Sequence, residues 1–231
     1  MDNRTERQLD LQAQISSVVK DMISVITNPV AFYKQMPKTG GLVNPLIFMA
    51  AMGIAGAIIQ IFLSFFHVGM AGSFGMALAY IIIMPIMVAI FGFIAAAILM
   101  LIWKVMGSNE NYETAFRCAA YASAISPITG LLNAIPYIGA IIGLAWMTYL
   151  LVTASVEVHG LQAKTAWIVF GIIAAIMAVM SISSQHAARK LSSNMQDLNK
   201  DLGNIEQMSP EEAGKKAGEF LKGMQQGAEK Q

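Results

Sequence analysis

Polar and apolar residues along this chain fall into long blocks. Three blocks contain no Asp, Glu, Lys or Arg: residues 39–103, 118–156 and 165–188, which are 65, 39 and 24 residues long. A helix needs about 20 predominantly apolar residues to cross a bilayer, so the blocks hold two, two and one crossings. None shows the period-two alternation of a membrane β-barrel. The pattern predicts an all-α, polytopic membrane protein. Its core is a bundle of five transmembrane helices, at about 46–66, 76–103, 115–133, 138–156 and 166–183. An amphipathic N-terminal helix precedes the bundle and a helical soluble tail follows it. The domain reading is 1–44 cytoplasmic, 45–183 membrane and 184–231 soluble.

The details refine this picture. Ile15, Val18, Val19, Met22 and Ile26 recur at helical spacing among Ser16, Ser17, Lys20 and Asp21, the pattern of an amphipathic surface helix. It lies on the bilayer, packs on the bundle or docks a partner. Asn28-Pro29 is expected to end it, leaving residues 32–41 as a short basic connector. Asn44-Pro45 reads as a cap with Pro at the first helical position. Gly53 and Ala57 offer a small face for close helix contact; Gln60 is expected to bond another helix, and His67 ends the span. Pro85 should kink the long second span. The third is broken by Ser123, Ser126, Pro127, Thr129, Gly130 and Asn133, so it crosses as an interrupted helix or forms a re-entrant hairpin. Polar backbone at membrane depth must be covered, which places it inside the bundle. Pro136 and Tyr137 turn the chain into the fourth span, where Gly139 and Gly143 form a GxxxG pair. In the tail, Leu191, Met195, Leu198, Leu202 and Ile205 follow a heptad-like spacing over two heptads. Ser209 to Glu212 is a capping box opening a last short helix.

Composition and charge then narrow the class. Charged residues are 13% of the chain, against about 25% in soluble domains. The net charge of +1 offers no basic field for nucleic acid. A single cysteine, Cys118, cannot make an internal disulfide, and no cleavable signal or lipidation motif is apparent. Arg4, Arg7, Lys20, Lys34 and Lys38 precede the first span, and Lys104, Arg117 and Lys164 fall in the second and fourth loops. Positive residues stay inside. This puts the N-terminus in the cytoplasm and the tail on the opposite side, unless the third and fourth segments make one re-entrant unit.

No catalytic, cofactor or metal motif stands out. His67, His159 and His186 are scattered, and there is no HExxH, GxSxG, Walker loop or CxxC. Glu157, His159 and Lys164 cluster after the fourth span, but Glu and His two residues apart do not share a helix face. The cluster reads as an interfacial helix end or a docking contact. Glu113, Arg117 and Tyr121 do share a face and read as a local salt bridge. The 17 methionines are spread through the spans as core filler. No ionisable residue lies at mid-membrane depth, which argues against an ion-coupled transporter.

Residues 29–45, PVAFYKQMPKTGGLVNP, and 112–167 carry a resemblance. The features are a Pro-aromatic segment before the first span, then YETAFRCAAYASAISP, then IPYIGAIIGLAWMTYLLVTASVEVHGLQAKTAW. In this last stretch a Pro136-Tyr137-x-Gly139 turn leads to Trp146 and a His159-Gly160-Leu161 exit. Together they resemble the Yip1 domain family, over roughly 30–183. The resemblance implies five spans, a cytosolic N-terminus and a short C-terminus on the other side. Eukaryotic members associate with one another and with Rab-type GTPases in vesicle traffic. Here the polar N-terminal region is short and the tail long. Both suit a prokaryotic member in the cell membrane, for which the fold transfers better than the function.

Two functions are therefore expected, neither enzymatic and neither using a cofactor. One is a membrane scaffold that associates with itself or with another membrane protein, in contact with membrane lipids. The other is a small permease, channel or lipid-translocating protein with a polar path along the third segment. Candidate interaction and packing residues are Glu113, Arg117, Tyr121, Ser126, Pro127, Asn133, Pro136, Tyr137, Gly139, Gly143, Trp146, Glu157, His159 and Gly160.

Overall fold

The computed structural model describes residues 3–65, 74–132, 135 and 137–206. Among them the regular secondary structure is entirely helical. In chain order the elements are α1 (Asn3–Thr27), α2 (Pro29–Gln35), α3 (Val43–Phe65), α4 (Phe74–Val105), α5 (Tyr112–Ala122), a 3₁₀ turn (Ser123–Ile125), α6 (Ser126–Leu132), α7 (Ile138–Glu157) and α8 (Ala163–Glu206). The chain divides into two units, Met1–Ser181 and Ile182–Gln231.

Four of these helices are long and apolar enough to cross a membrane: α3, α4, α7 and α8. They coincide with the first, second, fourth and fifth spans expected from the charge-free blocks. The third segment differs. It is three short pieces, α5, the 3₁₀ turn and α6, and it has no single helix of spanning length. Pro127 sits one residue into α6, where a ring without an N–H is tolerated. The hydrogen-bond pattern tightens just before it. Interrupted backbone at membrane depth must be shielded from lipid, and the first part of this segment is covered: Ala115, Phe116, Cys118, Ala120, Ala122 and Ala124 are all sealed from the surface, whereas Ile128 and Leu131 of α6 are exposed.

The first helix pair shows how close packing is achieved. Gly53 of α3 is buried, and a Cβ there would stand 3.1 Å from the backbone Cα of Pro85. Ala57, one turn on, is fully buried. The small-residue face therefore lets α3 meet α4 at the proline-bearing stretch. Farther along, Gly92 of α4 leaves room for the Met49 sulfur. Gln60 and Ile59 lie against Gly130 of α6.

Three local expectations are corrected. Asn28-Pro29 ends α1 at Thr27, as expected, but it also starts α2 at once: the Asn28 Oδ1 accepts from the Ala31 N–H at 3.3 Å, and Pro29 occupies the first helical position. Residues 32–35 of the expected connector are thus helical. Conversely, Asn44 is not a cap, because α3 already begins at Val43 and the Leu46 N–H reaches Leu42 O. In α1 the apolar residues split between two faces. Val18, Met22 and Ile26 pack on the core beside buried Val25, while Ile15, Val19 and Ile23 are exposed.

Asp21 lies on α1 near Tyr121, and burial raises its carboxyl above the usual value against the pull of Lys20. α8 is continuous from Ala163 to Glu206, so the fifth span and the start of the heptad-like tail are one helix. His67 and the capping box at 209–212 lie outside the described residues.

Candidate functional site

The polar residues of unit Met1–Ser181 gather where α2, α5 and the ends of α4 and α7 meet. Two clamps hold the turn between α2 and α3 onto α5. In the first, Asn111 caps α5 by accepting from the Thr114 N–H at 3.0 Å. This places Glu113 in the first turn, where the helix dipole favours a carboxylate. Glu113 and Arg117, four apart, approach to 3.5 Å. Glu113 accepts from the Gly41 N–H at 2.6 Å and Arg117 Nη2 donates to the Gly41 carbonyl at 2.8 Å. The expected helix-face pair therefore forms, and it grips a segment 72 to 76 residues away in sequence. Gly40 takes φ +117° beside it, and a Cβ there would meet the guanidinium at 3.0 Å. Arg117 is only 4% exposed and its Nε makes no hydrogen bond.

The second clamp is Lys38. Its ammonium is 2.6 Å from Glu110 and donates to the Val158 carbonyl at 2.8 Å, at the C-terminal end of α7. A cation there satisfies an unpaired carbonyl and faces the negative end of the helix. Thr114 Oγ1 donates to Lys38 O at 3.2 Å and lies 3.3 Å from Glu110 Oε2. The Lys38 hydrogen bond holds the Glu110 carboxyl below its ordinary value, with Thr114 assisting.

Behind the clamps sits a buried ring stack. The His159 imidazole lies 3.9 Å from the Trp103 ring at 24°. Its Nδ1 is 2.7 Å from Ser108 Oγ, and its Nε2 is 3.9 Å from Cys118 Sγ. Trp103 donates its indole N–H to Ser155 Oγ at 2.7 Å. Tyr33 of α2 donates to the Cys118 carbonyl at 3.3 Å, and burial drives its phenol well above the ordinary value. Burial pushes His159 down to about 4, with Lys38 and Lys104 adding to the effect and Glu110 opposing it. The ring is therefore neutral at pH 7. The thiol and imidazole lie close, but Cys118 is wholly buried, which closes the pair to any substrate in this conformation.

Not all the expected groupings form. Glu157, half-buried, and Lys164, exposed, do not join His159, which turns inward to Trp103 because Val158 and His159 wind back onto Ala154 O. Gly160 follows at φ +67°, the left-handed turn that Gly permits. Tyr121 leaves the Glu113–Arg117 pair and packs edge-on to Phe32 at 4.9 Å and against Phe48 at 5.0 Å.

The remaining candidates lie on α6 and α7. Gly139 and Gly143 are buried, and a Cβ on Gly143 would overlap the Thr129 methyl. Pro127 is buried and Ser126 borders a hollow there. Trp146 sits 5.5 Å from Tyr149 with its indole N–H buried and unbonded. Tyr137, at φ +65°, begins α7 in a conformation uncommon outside glycine. Asn133 and Pro136 lie outside the described residues. Sequence reasoning missed Lys38, Ser108, Glu110 and Trp103 as partners. Their spacing along the chain, 72 residues for Lys38 and Glu110 and 51 for Ser108 and His159, carries no local signal.

Four helices long and apolar enough to cross a membrane, with no Asp, Glu, Lys or Arg over residues 39–103, 118–156 and 165–188, define a multi-pass helical membrane protein. The Yip1 domain profile matches residues 23–184, most of the chain, and the chain belongs to the Yip1 domain family. No curated protein and no solved structure matched it. Among the described residues there is no group of three His, Cys, Asp or Glu placed to hold a metal ion.

Proposed function

We propose that this protein is a non-enzymatic membrane scaffold with five crossings, whose N-terminus is cytoplasmic and whose tail lies on the other side. α5, the 3₁₀ turn and α6 together have enough residues for about 30 Å of helix, one bilayer core, and so serve as the third crossing. The stapled end is then cytoplasmic, where the positive residues belong. The observation that carries the scaffold reading is α8. It continues far beyond the length of one crossing and exposes Leu191 and Met195 at heptad-like spacing, an apolar seam suited to a second copy or to a helix of another membrane protein. Removing 184–231 should lower the mass of the protein purified in native nanodiscs by whole protomers or by a partner. An unchanged assembly would sink the tail's part in this reading.

A second reading, passage of a lipid or small solute, is favoured by a hollow of about 340 Å³ beside Ser126, Thr129, Gly139 and Gly143. Leu at Ser126, Thr129 and Asn133 should then abolish flux in liposomes. Flux that persists in that variant rules out the path.

A further inference from the structure

A second cavity, of about 380 Å³, lies between α4, α5, α7 and α8. Its volume falls in the range of small-molecule pockets, roughly 300–1,000 Å³. Ala122, Leu151 and Phe170 form its floor and Ile98, Ala174 and Met177 its rim. The polar lining side chain among the described residues is Thr148, and its hydroxyl is already spent on Leu144 O at 2.7 Å. A water would find no set of two to four polar partners here, so the cavity is dry or holds hydrocarbon.

Three observations identify the occupant. First, the rim is continuous with the lipid-facing belt. Ile98 and Met177 are half exposed, and next to them run Ile90, Ile94 and Leu101 on α4 and Ile172 and Ile176 on α8, all exposed. Secondly, the cavity has a neighbour along α7. Leu144, Met147 and Met177 line both it and the hollow beside Ser126 and Thr129, so the two together flank α7 from Gly139 to Leu151 and a shift of these three side chains would join them into one cleft. Thirdly, that stretch of α7 is about 18 Å long at 1.5 Å per residue. Half of a 30 Å hydrocarbon core is about 15 Å. The cleft has the length of one leaflet, apolar over one end and hydroxyl-bearing at the other.

We propose that this cleft binds a single acyl chain of a membrane lipid, entering sideways between α4 and α8. The chain lies against Leu151 and Phe170, and its ester end lies toward the Ser126 and Thr129 hydroxyls. The site is independent of whether the tail self-associates and of whether any solute crosses.

The test uses the full chain in phosphatidylcholine–phosphatidylglycerol vesicles containing a trace of phosphatidylcholine with a diazirine on its acyl chain. After illumination, the labelled residues are mapped by mass spectrometry. Label on the buried Ala122 and Thr148, besides the exposed Ile90 and Ile94, is expected. Ala174→Phe, which fills the rim, should cut the interior label about tenfold and leave the belt label unchanged. Ala95→Phe fills it from the α4 side and replaces Ala174→Phe if that variant does not fold. Label confined to the belt in the unaltered protein would mean ordinary surrounding lipid only and would overturn the proposal. So would interior label that a folded filled variant does not reduce.

Discussion

Residues here act through what surrounds them more than through their own chemistry, and His159 shows it best. Its folded value of about 4 lies below the ordinary 6.5. Between these values the unfolded chain binds the proton and the folded one does not, so stability rises with pH across that window. The neutral ring's contribution is complete above about pH 6.5 and is lost as pH falls toward 4. The span corresponds to roughly 3–4 kcal/mol. His159→Gln, neutral throughout, should flatten the acid limb of a denaturation-versus-pH curve in detergent; an unchanged limb would assign it to other groups. Gly160 tests backbone alone, because nothing lies within 4 Å of a Cβ placed there. Gly160→Ala should cost about 1–2 kcal/mol for its positive φ, read as a fall in unfolding midpoint with unaltered helix content.

At the scale of elements, small residues and buried charge decide which helices touch. Gly143→Ala would drive a methyl into Thr129, a contact that overpacking data value at about 1–3 kcal/mol. Adding Thr129→Ser removes the offending methyl and should restore most of the loss in the double variant. If the double variant gains nothing, α6 and α7 are not held by that contact.

The two clamps on the α2–α3 turn should differ in weight. Lys38 is 48% exposed and Arg117 only 4%. An exposed pair contributes about 0–1 kcal/mol, whereas stripping the cation from a buried site leaves Gly41 O and Glu113 poorly satisfied, at roughly 2–4 kcal/mol. Arg117→Met should therefore destabilise clearly more than Lys38→Met. Equal losses would mean that the Lys38 bond to Val158 dominates the clamp.

For the whole molecule the decisive quantity is topology. With the stapled end cytoplasmic, a single cysteine placed at Ser192, in a Cys118→Ala background, should react with a membrane-impermeant maleimide from the non-cytoplasmic side only. A cysteine at Thr39 should react only once the cytoplasmic side is opened. Both labelled from one side would mean an even number of crossings and a re-entrant third segment. The broken segment is the reason the question exists. It is the least apolar of the five, and its burial comes from α3, α4 and α7 packing around it, not from its own hydropathy.

Much of the architecture was legible because membrane spans announce themselves in one dimension. Charge is excluded over stretches as long as the bilayer is thick, so four spanning helices and the weakness of the third could be read directly. The family resemblance was legible too, since its turns keep Pro, Gly and aromatic residues at fixed local spacing. Glu113 and Arg117 were legible because four residues is one helical turn.

What tertiary structure alone decided is where distant polar groups meet. Nothing local in Lys38, Ser108 or Trp103 points to Glu110, His159 or Ser155; only the packing of α2, α4, α5 and α7 brings them together. The same holds for stacking the His159 ring on Trp103. It holds also for the cleft between α4 and α8, because a cavity is a property of how helices fail to touch, and no single stretch of sequence encodes it.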